Sequence, residues 1–143
     1  MTIRELAIED ADFIDSAKDF GFLDGWNKNM VLSAINGGRF FGGIAEENNI
    51  PVGFITYSLG YDDADIESIF ILPDKRKQGY AKELISFSME RIKKADKKSI
   101  FLEVKESNIS AISLYLSFGF KKVSIRKKYY ADGSNAIVMQ KEI

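Results

Sequence analysis

I-E-S-I-F-I-L-P-D-K-R-K-Q-G-Y-A, Ile66 to Ala81, is the stretch at which this chain changes architecture. The apolar run Ile66–Leu72 has strand composition and stops at Pro73. Pro73–Gln78 is a polar loop, and Gly79–Lys94 carries a helical apolar stripe at Ala81, Leu84, Ile85 and Ile92. Ser99–Val104 is a second strand. Strand, helix and strand with a crossover of this length predict a parallel pair joined by a right-handed βαβ unit.

Upstream the reading is antiparallel. Thr2–Ala7 is a short first strand, and Glu9–Phe20 and Asn27–Asn36 have helical spacing, with Asn27 as N-cap and Gly37-Gly38 as stop. Arg39–Ala45 and Pro51–Leu59 are strands joined at Asn48-Asn49, a hairpin signal. A turn rich in Asp62, Asp63 and Asp65 then leads into Ile66. Downstream, Ser110–Phe118 is a helix with Gly119 at its C′ position and Phe120 behind it. Lys121–Tyr130 and Ala136–Glu142 close the chain as a hairpin. The order βααβββαβαββ gives an α/β (α+β) chain, a mixed sheet covered by helices. With two prolines and no Ser/Gly-rich linker, residues 1–143 are expected to form a single domain.

Composition narrows the chemistry. Apolar residues make up 45% and aromatics 13%, as in an ordinary globular protein. A net charge of −1 gives no reason to expect nucleic acid or a membrane surface as partner. Without Cys there is no disulfide, thiolate nucleophile or Cys-bound zinc; without His the commonest metal ligand and general base are missing. Catalysis would have to run on carboxylates, Tyr, Lys, hydroxyls or backbone dipoles. Met1-Thr2-Ile3-Arg4 starts into an amphipathic segment rather than a signal peptide, and no 18-residue apolar run occurs, so a cytoplasmic protein is expected.

Two places carry candidate chemistry. Free N–H groups and the dipole at the start of the Gly79 helix can hold an anion, with Gly79 allowing close approach and Arg76, Lys77 and Lys82 adding charge. Neither a Walker loop nor a dinucleotide fingerprint is present, and alone the loop reads as a solvated basic turn. The second place is Asn108–Phe120, N-I-S-A-I-S-L-Y-L-S-F-G-F, five residues after Glu103 in the strand I-F-L-E-V. Strands of a parallel pair are usually apolar throughout, so Glu103 belongs at an edge, a splay or a site. Tyr115 lies on the stripe Ala111, Leu114, Tyr115, Phe118 and by spacing alone reads as a core aromatic, while Asn108 reads as a helix cap or a turn residue. Ligands of α/β sheets bind beyond the carboxyl ends of parallel strands, where both places fall.

With those residues in view, the chain resembles the GNAT superfamily of acetyl-CoA-dependent N-acetyltransferases. R-K-Q-G-Y-A (Arg76–Ala81) matches the superfamily's Q/R-x-x-G-x-G/A signature. L-E-V-K-E-S-N-I-S-A-I-S-L-Y-L-S-F-G-F and the tail R-K-K-Y-Y-A-D-G-S-N-A-I-V-M resemble the RimI-like branch, which acetylates the N-terminal alanine of a ribosomal protein. The resemblance implies a mixed, mostly antiparallel sheet with a central splayed parallel pair, flanked by helices. It implies acetyl-CoA as cosubstrate and no metal. Main-chain groups of Ile69, Phe70 and Ile71 would hold pantetheine and acetyl. Backbone N–H groups of Lys77, Gln78, Gly79, Tyr80, Ala81 and Lys82 would wrap the pyrophosphate, Arg76 beside them would also bind the cofactor, and Asn108 would bind CoA. Glu103 would be the general base, and Tyr115 would protonate the departing thiolate. The branch's acidic residue before the final apolar run is Asn135 here, and its Pro-Trp-Ser is Gly25-Trp26-Asn27.

These roles agree with the chemistry. An amine attacks a thioester only when neutral, and an α-amine of pKa about 8 is roughly a tenth neutral at pH 7. A phenol of pKa about 10 can reprotonate a thiolate whose thiol is near 8.5. The expected acceptor is therefore a protein N-terminus, with a small amine such as a polyamine or aminoglycoside as the rival. A non-catalytic acyl-CoA-binding module is the other class. Tyr129 and Tyr130 read as acceptor-channel residues or as exposed hairpin aromatics. The acidic run Asp62, Asp63, Asp65, Glu67 reads as an attractor for a cationic acceptor or as a solvated turn. Oligomerisation is left open.

Overall fold

The computed structural model describes residues 1–22, 28–38 and 41–143. Its strands are β1 Thr2–Glu5, β2 Phe41–Glu47, β3 Ile50–Leu59, β4 Asp63–Ile71, β5 Ser99–Lys105, β6 Lys121–Arg126 and β7 Ala136–Glu142. Its α-helices are α1 Ala11–Ser16, α2 Lys28–Asn36, α3 Tyr80–Lys94 and α4 Ile109–Ser117. The strands form one seven-stranded sheet in the order β1-β2-β3-β4-β5-β7-β6. Every neighbouring pair is antiparallel except β4–β5, so the mixed, mostly antiparallel sheet and its parallel pair are as expected.

Strand alternation divides the core between two faces. Ile55, Ile66, Ile100, Leu102 and Met139 pack with Leu84, Ile85 and Ile92 of α3 and with Ile112 and Tyr115 of α4. Ile44, Phe54 and Phe70 pack with Ala11, Ile14, Val31 and Ala34 of α1 and α2. In α3 the buried positions are Tyr80, Leu84, Ile85, Ser88 and Ile92, a helical stripe in which Tyr80 replaces the expected Ala81. Ser88 is tolerated there because its hydroxyl donates to the Leu84 carbonyl at 3.0 Å.

Several boundaries differ from the sequence reading. The first helix is broken: 3-10 turns at Ile8–Asp10 and Ala17–Phe20 flank α1, and Gly21 ends the segment at φ +81°. β4 begins at Asp63, so Asp63 and Asp65 lie in a strand rather than a turn, alternating with buried Ala64 and Ile66. β6 ends at Arg126, which leaves Tyr129 and Tyr130 in the connection to β7. The expected cap Asn27 and the strand start at Arg39 lie outside the described residues. The Asn48-Asn49 hairpin is present, with φ of +54° and +64°, the left-handed pair that a two-residue turn requires. Among the described residues no helix is long and apolar enough to cross a membrane.

Candidate active site

The site originates in a failure of pairing. β4 and β5 pair only from Asp63↔Ser99 to Ile66↔Leu102. At that point the β3–β4 register slips: Thr56 faces Ser68 but Tyr57 faces Ile66, so Glu67 is an extra residue, a β-bulge. Such a bulge bends its strand and reverses the faces of the residues beyond it. Ala64 and Ile66 face the α3 core before it, and Ile69 and Ile71 face that core after it. The bend opens the sheet between β4 and β5.

Three connecting hollows line this opening. One of about 660 Å³ runs between the β4 end, the Lys75–Lys82 loop and α4. A second, about 510 Å³, sits in the gap itself and shares Phe22, Ile69, Asn108, Ala111 and Tyr115 with the first. The third, about 800 Å³, lies beyond the gap under the β6–β7 connection and shares Glu67, Glu103 and Tyr130 with the second. The layout is a passage through the sheet, basic at one mouth and acidic at the other.

At the basic mouth the loop has built-in left-handed turns, Lys77 at φ +63° and Gly79 at φ +90°. Gly79 is the N-cap of α3 and offers no side chain, so the first N–H groups of the helix have no side-chain cap. Lys75, Arg76, Lys77 and Lys82 line the crevice, whereas Gln78 does not; its amide donates to the Asp74 carbonyl at 3.4 Å. Tyr80 also lines the crevice. Its side chain is buried, and its hydroxyl donates to Glu47, which also accepts from Lys75 Nζ at 3.0 Å. Those hydrogen bonds, Tyr80's first and then Lys75's, hold the Glu47 carboxyl below the usual range and tie the loop to β2. Arg76 Nε donates to the Ile71 carbonyl at 3.0 Å. Leu72 N–H bonds to Val52 O, so by antiparallel alternation the main-chain groups of Ile69 and Ile71 face the gap and those of Phe70 face β3.

The Asn108–Phe120 string folds into a helix closed at both ends. Asn108 Oδ1 caps α4 by accepting from Ala111 N–H at 3.2 Å, while the residue also lines the crevice. At the other end Phe120 N–H bonds to Tyr115 O and Gly119 N–H to Leu116 O, with Gly119 at φ +92°: a Schellman motif. The apolar contact such a motif adds is Phe120 against Tyr115, edge-on at 5.8 Å. The termination of the helix thus fixes the phenol. Tyr115 is 5% exposed, and burial, with the Tyr130 charge adding, pushes its hydroxyl up to about 12.

At the acidic mouth Glu103 is the first β5 residue beyond the paired segment, opposite Val138 of β7. Asp65 and Glu67 of β4 line the same hollow, so the acidic run is divided: Asp62 stays in the turn near Lys98, and these two enter the site. Desolvation, then the charges of Glu67, Glu103 and Asp63, push the Asp65 carboxyl up. The sequence reading missed Arg126, whose Nε lies 3.5 Å from Glu103 Oε1, and Phe22, which lines the gap. It also missed the anchoring of the β6–β7 connection. Lys105 Nζ donates to Asp132 at 2.9 Å and lies 5.3 Å from the Tyr130 ring centre. Asn135, in place of an acidic residue, accepts from Lys128 N–H at 3.0 Å and donates to Glu106 at 3.3 Å, pinning the same connection.

Comparison with known proteins fits this architecture. The pattern of the acetyltransferase (GNAT) family matches residues 2–120. The ribosomal protein bS18-alanine N-acetyltransferase of Escherichia coli K12 is 32% identical over 117 residues, spanning 80% of this chain and 78% of that protein. An N-alpha-acetyltransferase of Saccharolobus solfataricus is 40% identical over 113 residues, spanning 70% and 68%. The crystal structure of the ribosomal-protein-S18-alanine N-acetyltransferase from Escherichia coli matches with a TM-score of 0.89 at 28% identity, over 99% of this chain and 93% of that one. The chain belongs to the acetyltransferase (GNAT) family and is an acyltransferase.

Proposed function

We propose that residues 1–143 are one cytoplasmic N-acetyltransferase domain that moves an acetyl group from acetyl-CoA to the α-amine of a protein N-terminus. One observation carries this reading: a passage through the sheet has uncapped helix N–H groups and a phenol on one side and three carboxylates on the other. The donor set fits the cosubstrate. The uncapped N–H groups of α3, with Lys77 and Lys82, suit a pyrophosphate, and the main-chain groups of Ile69 and Ile71 suit an amide-bearing arm laid along β4 as an extra strand.

Acetyl-CoA supplies the activated acyl group, and the residues of this chain manage the protons. The acidic mouth draws in an ammonium group. The ammonium gives one proton to solvent before attack. As the C–N bond forms and the C–S bond breaks, Glu103 accepts the second, directly or through water. Tyr115 gives its proton to the departing thiolate and regains one from solvent. The burial that raises the phenol also raises the proton affinity of a thiolate in the same crevice, so the transfer stays matched. Asn108, Phe70, Gln78 and Tyr80 act as supports in this scheme, with the Asn108 amide also reaching the cosubstrate. The relatives named as ribosomal protein and N-alpha acetyltransferases support the choice of a protein N-terminus over a polyamine or aminoglycoside.

The test is a coupled assay for released CoA thiol over alanine-initiated peptides and a panel of small amines. Turnover of peptides is the expected result. Inert peptides alongside turnover of a small amine would overturn the protein acceptor. Acetyl-CoA binding with no acceptor turned over would favour a binding module.

A further inference from the structure

The acidic mouth is electrostatically unbalanced. Among the described residues lining it, Asp65, Glu67 and Glu103 face a single cation, Arg126. Lys105 lies nearby but is engaged by Asp132, and the Glu67 carboxylate accepts from Ser58 at 2.7 Å. Three carboxylates in one hollow repel one another, and without a cation one of them takes up a proton more readily. A protonated Glu103 cannot accept a proton.

Arg126 is placed to prevent that. It pairs with Ala136, which pairs with Lys105, while Glu103 is in line with Val138 and Ser124. The arginine therefore reaches diagonally across β7, over Ala136 and Val138, to the carboxylate. Its guanidinium lies 5.6 Å from the Tyr129 ring centre. Glu103 is the foremost cause that pushes the Tyr129 hydroxyl up. Arg126 thus holds Glu103 from the side away from the gap.

Building on the acetyltransfer reading, we propose that Arg126 is a positioning residue for this reaction, keeping Glu103 charged and aimed at the gap through their ion pair. It touches neither donor nor acceptor in this role. The other groups facing Glu103 are Asp65 and Glu67 from β4 and Tyr129 and Tyr130 from the β6–β7 connection.

The experiment compares wild type, Arg126→Gln and Arg126→Lys. Rate against pH is measured with an alanine-initiated peptide at saturating acetyl-CoA. In parallel, carboxyl-carbon NMR of glutamate-labelled protein is followed over pH, with Glu103 assigned by its loss in Glu103→Gln. Arg126 is more than half exposed, so the glutamine variant should fold, which thermal melting checks. Expected for Arg126→Gln is an acidic limb displaced toward neutral pH, the direction in which loss of a neighbouring cation moves a carboxylate. The Glu103 carbon signal should move by the same amount, acetyl-CoA affinity should be unchanged, and Arg126→Lys should restore both. An unmoved Glu103 signal in Arg126→Gln, or the same displacement in Arg126→Lys, overturns the proposal. The NMR arm needs no turnover. A displaced signal in a protein inert toward every amine would sustain the role of Arg126 in holding Glu103 and reject the acetyltransfer reading.

Discussion

Glu103 and Tyr115 sit on opposite sides of the gap, and each has a distinct burden. Glu103→Gln and Tyr115→Phe should each lower turnover by about 10²–10⁴ while leaving acetyl-CoA affinity near wild type, as read by steady-state kinetics and calorimetric titration. Full activity in both variants would reject the acid/base scheme. Because burial pushes the Tyr115 hydroxyl up to about 12, it stays protonated through neutral and moderately alkaline pH. Tyr115→Phe should therefore lower the whole rate profile without moving its alkaline limb below about pH 10. Gly79 makes a different contribution. Nothing lies within 4 Å of the position a Cβ would occupy, but its φ of +90° is strained for any L side chain. Gly79→Val should cost about 1–2 kcal/mol in that loop conformation and weaken CoA binding, and unchanged affinity in a titration would reject the placement of the phosphates. At this scale the sequence was informative about residue type but not about direction. Asp65 reads as a turn residue and Glu67 as a strand residue, and only the Asp63 start of β4 and the bulge at Glu67 place both beside Glu103.

The elements were read more successfully where local chemistry dictates them. Asn108 as cap, Gly119 as stop and the Asn48-Asn49 turn are short-range features, and all are found. The Glu9–Phe20 helix and the Lys121–Tyr130 strand were overextended, because the ends of those segments depend on partners distant in sequence. Asn108 offers a discriminating pair of variants. Asn108→Ala should lose the cap and about 1 kcal/mol of stability, whereas Asn108→Ser should keep the cap and the melting temperature. If the amide also binds the cosubstrate, both variants should show weaker acetyl-CoA affinity. Weakening confined to the alanine variant would leave Asn108 a cap alone.

Across the whole molecule, the first strand and first helical segment are fastened to the sheet by ions. Arg4 donates to Asp10 at 2.8 and 2.7 Å and lies 3.1 Å from Glu46, and Ala7 N–H also donates to Asp10. Burial alone would raise the Asp10 carboxyl, but the Arg4 hydrogen bonds, the Ala7 hydrogen bond and the Arg4 charge together hold it below the ordinary value. A carboxyl depressed by folding adds stability that is fully present above its unfolded value and is lost as pH falls through the folded one. Asp10→Asn should therefore be less stable than wild type by about 2 kcal/mol at pH 7, with the difference closing as pH drops below the ordinary carboxylate range, as urea denaturation would show. A difference independent of pH would mean that packing, not charge, accounts for it. The sequence by itself determined the order of elements, the βαβ unit around Ile66–Ala81, the helix start at Gly79, and a chemistry without thiolate or imidazole. Those features rest on periodicity, turn residues and the absence of Cys and His, which act over a few residues. Tertiary structure decided where the sheet opens, that Glu67 bulges, that Phe120 fixes Tyr115, and that Arg126 reaches Glu103 across β7. The Phe120 contact is local to the end of α4; the other three depend on register between strands, where a one-residue slip sends every subsequent side chain to the opposite face.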